Sequence, residues 1–146
     1  MTNTGLDVFD TTLQKTNAWL GDVMAELHTD DRKQAYRVLK EVLHALRDRL
    51  TVEEAAHLGA QLPMLLRGLW YESWSPGRTP SDDDLDAFLD RVRNALSDRP
   101  GVPDPERHAR AVFAVISRRV DRGELIDVTH LLPEDIRSLW PEEVSA

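Results

Sequence analysis

Apolar residues recur along this chain at intervals of three and four, the spacing that lines one face of an α-helix, and its β-branched residues lie on those stripes rather than in alternating runs. From about Asp10 to His28 the stripe reads Phe9, Leu13, Thr16, Leu20, Val23, Met24 and Leu27, with Trp19 flanking it. Thr29 and Asp30 are of the type that caps a helix start, and they introduce a second stripe of Ala35, Val38, Leu39, Val42, Leu43, Leu46 and Leu50. Thr51-Val-Glu-Glu54 has the form of a capping box, in which the threonine hydroxyl and the Glu54 carboxylate each satisfy a backbone N–H. It predicts a third helix ending near Gly59 to Leu62, and Pro63, which has no N–H to leave unpaired, opens a short fourth. After Trp74, Ser75-Pro-Gly-Arg-Thr-Pro80 is a Pro/Gly-rich connector. Ser81 is then expected to cap a helix with Asp82, Asp83 and Asp84 in its first turn and Leu85, Phe88, Leu89, Val92 and Leu96 on its buried face. Pro100 to Pro103 breaks the chain, and Asp104-Pro105 starts a helix carrying Ala109, Val112, Phe113, Ile116 and Val120, with Gly123 as its expected stop.

The pattern repeats. Leu62, Pro63, Leu66, Arg67, Leu69 and Trp70 return in the same order and spacing as Leu132, Pro133, Ile136, Arg137, Leu139 and Trp140. Trp19, Leu20, Val23 and Leu27 are spaced as Phe88, Leu89, Val92 and Leu96 are, and Val38, Leu39, Val42 and Leu46 match Val112, Phe113, Ile116 and Val120. The expected fold is all-α, a helical bundle of two tandem, related multi-helix units, the second shortened before its Leu-Pro. The expected limits are a tail at 1–9, a first unit at 10–74, a linker at 75–80, a second unit at 81–140 packed with the first as one domain, and a tail at 141–146. Leu39, Val42, Leu46, Leu66 and Trp70, with Val112, Phe113, Ile116, Leu139 and Trp140, are expected in the core.

The segment HALRDRLTVEEAAHLGAQLPMLLRGLWYESW, from His44 to Trp74, resembles a bacterial family known only as domain of unknown function 2267. The resemblance extends from about Thr11 to Trp140, with Arg-Asp-Arg-Leu and Gln-Leu-Pro its most specific parts. It implies a small, all-helical bacterial protein without an established activity, and it brings no catalytic residues with it.

Composition narrows the partners. The net charge is −8, with 26 acidic against 18 basic residues, which disfavours a phosphate backbone as ligand. Without cysteine there is no disulfide, thiolate metal site or thiol nucleophile. No stretch approaches the roughly 20 apolar residues of a membrane span, so neither nucleic acid nor membrane is an expected partner and a cytoplasmic location is expected.

No stretch reads as a catalytic or cofactor motif. Glu54-x-x-His57 puts a carboxylate and an imidazole on one helical face, as carboxylate-bridged metal sites require, but such sites need a second copy of that pair and further glutamates. The nearest approach, Asp127-x-x-His130, is out of register with it, since Asp127 falls opposite His57 in the repeat. No metal or cofactor is therefore expected, and Glu54 reads as a cap. His44 has no nucleophile at a recognisable spacing and reads as a packing residue. Arg67 and Arg137 recur at the same place in each half, which favours a structural task such as pairing a helix C-terminus, with anion binding second. Trp70, Tyr71 and Trp74 crowd three aromatics into five residues and cannot all face one core. They are the candidate interaction surface, and a non-enzymatic protein-interaction or regulatory module, acting on a protein partner or a second copy as a homodimer, is the favoured function. The alternative is a small-ligand binder or enzyme with a pocket between the units, using Arg67, Arg137, His44 or His57.

Overall fold

The computed structural model describes residues 4–97 and 104–145, so the expected break at Pro100 to Pro103 lies outside the described residues. Every regular element within them is helical: α1 (Asp7–Leu27), α2 (Arg32–Arg49), α3 (Val52–Ala60), α4 (Met64–Tyr71), α5 (Leu85–Ala95), α6 (Pro105–Arg119), α7 (Arg122–Leu131), α8 (Glu134–Arg137) and α9 (Glu142–Ser145), with a 3-10 turn at Pro76–Arg78. The fold is all-α.

Side-chain caps set most of the starts. Asp31 accepts from the N–H groups of Lys33 and Gln34, Thr51 from Glu54, Asp84 from Ala87, Asp104 from Arg107, and Asp121 from Gly123 and Glu124. Each such bond satisfies a backbone donor that has no partner inside its helix. Pro63 and Pro133 sit just ahead of α4 and α8 with nearly the same backbone angles, φ −56°, ψ 151° and φ −55°, ψ 150°.

The long helices α1, α2 and α6 pack on one another, with α5 against α2 and α6. Across the opposite end α3 meets α4 and α7, α4 also touches α1 and α2, and α9 folds back on α7. The core runs through all of them. Leu39, Val42, Leu46, Leu66, Trp70, Val112, Phe113, Ile116, Leu139 and Trp140 are buried, and Trp140 stacks on Phe113 with ring centroids 4.2 Å apart.

Several expected details differ. Helix α1 starts before residue 10, and its stripe is buried only from Thr16 onward: Phe9 is 46% and Leu13 39% exposed, whereas Trp19 is core. Ser81 does not cap α5; Asp84 does, its side chain accepting from the Ala87 N–H, and Asp82 and Asp83 precede the helix. Gly123 lies inside α7, because Asp121 caps a new helix where α6 was expected to stop. Helix α7 is no shorter than α3; the shorter members of the second half are α5, α6 and α8. The expected C-terminal tail carries α9, where Val144 is buried and its carbonyl accepts a 3.1 Å bond from the buried Thr129 hydroxyl.

Candidate functional site

At the start of α3 only half of the capping box forms. The Thr51 hydroxyl accepts from the Glu54 N–H at 3.2 Å, but the Glu54 carboxylate returns no bond to the backbone. It is 9% exposed, its Oε1 is buried without a hydrogen-bond partner, and its Oε2 lies 3.8 Å from Nδ1 of His57, one helical turn on. Helix α7 packs against α3, and its cap at Asp121 sets Glu124 in the first turn facing Glu54. Oε2 of Glu124 is likewise buried and unpartnered. One ligand-type atom from each of Glu54, His57 and Glu124 lies within 4.8 Å of the other two. Burial, and then the neighbouring Glu54 carboxylate, push the Glu124 carboxyl up to about 8.

The sequence reading looked for a second Glu-x-x-His pair and further glutamates; the grouping here instead draws its second carboxylate, Glu124, from α7. A signal for it was present: Glu124 stands to Leu132-Pro133 as Glu54 stands to Leu62-Pro63, so the two are equivalent positions of the repeat. Glu54 was also misread as a cap, because spacing shows that its carboxylate can reach the Thr51 N–H but not that a facing helix draws it elsewhere.

The remaining candidates are distributed over the bundle. Arg67 donates from Nε to the Gly59 carbonyl at 3.1 Å and from Nη2 to the Leu62 carbonyl at 3.1 Å, and Arg137 does the same to Thr129 at 3.0 Å and Leu132 at 3.2 Å. Each guanidinium thus closes the C-terminus of the helix before it, where carbonyls are left over. His44 is buried with Nε2 2.7 Å from the Leu69 carbonyl, and burial lowers its pKa. Beside it the buried Arg47, which sequence reasoning did not single out, donates to the carbonyls of Trp70 and Glu72, both at 2.8 Å, and to Asp48. Asp48 also pairs with Arg91, and the two arginines outweigh its desolvation to hold its carboxyl below the usual range.

Trp70 cannot serve as a contact surface. Its ring is fully buried and donates to the Ala55 carbonyl at 3.0 Å, which corrects its place in the expected interaction patch. Tyr71 and Trp74 are half-buried against the core edge, with ring centroids 5.3 Å apart. Among the described residues, exposed apolar side chains gather elsewhere, on Leu6, Val8, Phe9 and Leu13 at the start of α1 and on Met64 and Leu65 at the start of α4. The Thr12 hydroxyl accepts from the Leu65 N–H at 2.9 Å, which ties the two helix starts together. Beside them runs a groove of about 840 Å³ whose charged lining is Lys15, Arg67, Arg118 and Arg119 against Asp7 alone.

A family model described as "Uncharacterized conserved protein (DUF2267)" matches residues 16–139. No curated protein matches the chain. Among the described residues no helix is long and apolar enough to cross a membrane.

Proposed function

The chain belongs to the family of domain of unknown function 2267, whose description names no activity, and from its own surface we propose that it is a non-enzymatic protein-interaction module that self-associates through the start of α1. The observation that carries this reading is the uncovered stripe. Leu6, Phe9 and Leu13 recur at three and four residues and continue the line of Leu20, Val23 and Leu27, which is buried against α2 and α6 further along. An apolar stripe that runs on past its neighbours, with Met64 and Leu65 alongside, is a face that gains by being covered. A second copy fits it, since the same stripe on each chain can cover the other about a two-fold axis.

Sedimentation equilibrium across the micromolar range tests the proposal. The parent is expected as a dimer, and the Phe9→Asp, Leu13→Asp double variant as a monomer with unchanged helical circular dichroism, because both side chains are exposed within one chain. A parent that stays monomeric, or a double variant that still dimerises, overturns it. The alternative of a small-ligand binder has the basic groove in its favour, with an anion as its ligand. Arg118 and Arg119 are already paired with Glu26 and Asp22, and Arg67 with carbonyls, so the groove offers less unspent charge than its composition suggests.

A further inference from the structure

We propose that Glu54, His57 and Glu124 form a binding site for one divalent first-row transition-metal ion at the α3–α7 contact. The donor set is two carboxylates and one imidazole. Two ionised carboxylates and a neutral imidazole carry a charge of −2, which a divalent cation cancels, and the imidazole favours Zn(II) over Mg(II), Ca(II) and Mn(II), which prefer oxygen ligands. The spacing suits such an ion. Two metal–ligand bonds of about 2.1 Å at a tetrahedral angle place their donors roughly 3.4 Å apart. Oε2 of Glu54 and Nδ1 of His57 are 3.8 Å apart, and the donor atoms of all three residues fall within 4.8 Å, so side-chain rotations suffice to complete the geometry.

A second observation points to a ligand. Oε1 of Glu54, on a residue more than nine-tenths buried, and Oε2 of Glu124 have no hydrogen-bond donor, although a buried polar atom without a partner costs stability. Every backbone N–H that the capping box would have offered Glu54 is left aside so that its carboxylate faces α7 instead. Either a cation or a single shared proton must hold the two glutamates together, and His57 is the residue that a shared proton does not need. Its side chain is 58% exposed, which gives an ion a path in and leaves at least one coordination position for water.

The test uses untagged full-length protein, dialysed against EDTA and titrated calorimetrically with Zn(II) and separately with Mn(II). One equivalent of Zn(II) is expected to bind, more tightly than Mn(II). Glu124→Gln and His57→Ala should each weaken binding by at least the roughly 10- to 100-fold that even outer-shell changes cost at metal sites. Both variants should fold, since glutamine is isosteric with a protonated glutamate and His57 is exposed. Zn(II) should raise the melting temperature of the parent and not of Glu124→Gln. Absence of stoichiometric binding to the parent, or binding that survives in Glu124→Gln, overturns the site and leaves the glutamates as a pair sharing a proton.

Discussion

A buried imidazole next to a carbonyl can be held in two ways, as a neutral donor or as a cation, and at His44 desolvation decides for the neutral form. Its N–H then donates to the Leu69 carbonyl, and its pKa lies below the ordinary value. His108 is buried too, and its pKa is lowered by the same cause. In both cases the unfolded chain takes up a proton more readily than the folded one. Their contribution to stability is therefore present above the unfolded value of 6.5 and is lost as the pH falls through the lower folded values. Glu124 works the other way. Pushed up to about 8, it contributes stability below its ordinary 4.5 that is lost as the pH rises through about 8. The two effects overlap below the histidine value of 6.5 and above the carboxyl value of 4.5, so the clean measurement is a difference. His44→Gln keeps an N–H donor but cannot titrate, and its melting temperature should fall less than the parent's between pH 7 and 5, with Glu124 common to both. Equal slopes for parent and variant would show that His44 is not held neutral.

Among the helices, direction was legible in the sequence and coverage was not. The stripes of α2, α5 and α6 face inward as their spacing predicts, because each has a neighbour along its length. Phe9 and Leu13 have the same periodicity and lie exposed, since spacing says which way a side chain points and nothing about whether another helix reaches that far. The Glu54–Glu124 contact was hidden for a related reason: the spacing of Glu54 and His57 along α3 does not say which side chain of α7 faces them. The crossing of α3 and α4 makes a prediction of sign. Replacing glycine by alanine inside a helix ordinarily stabilises by about 0.5–1 kcal/mol, and Gly21 and Gly68, where an added Cβ meets nothing, should behave so. At Gly59 a Cβ would fall 2.7 Å from the Tyr71 hydroxyl oxygen, 3.0 Å from Cδ1 of Trp70 and 3.1 Å from its Nε1. The tyrosine tip can swing, but the tryptophan is pinned by its bond to the Ala55 carbonyl. Gly59→Ala should therefore destabilise by ~1–3 kcal/mol, against a gain for Gly21→Ala, in urea unfolding of the three variants. A gain at Gly59 would mean that α4 is free to shift.

Over the whole molecule we infer that the chain is a duplicated unit, and matching single bonds support the repeat expected from the sequence. Arg67 and Arg137 bond carbonyls at matching positions, and Glu54 and Glu124 meet from matching helices. The halves also depart from each other. Trp70 donates to the Ala55 carbonyl, whereas the Trp140 ring lies flat on Phe113 and its buried Nε1 has no partner. Phe113 is large enough to give that ring a stacking surface in exchange for the hydrogen bond. A duplication allows two outcomes, units that fold separately or units that share a core, and the contacts favour the second. Helix α6 packs on α1 and α2 of the first half, and α7 packs on α3, so neither half can bury its stripes alone. Leu39→Ala in the first half and Ile116→Ala in the second should each cost ~2–5 kcal/mol, and each should lower the midpoint of one cooperative thermal transition seen alike by far-ultraviolet circular dichroism and tryptophan fluorescence. If Leu39→Ala instead split the melt into two steps, one unchanged from the parent, the units would be folding independently and the shared core would be wrong.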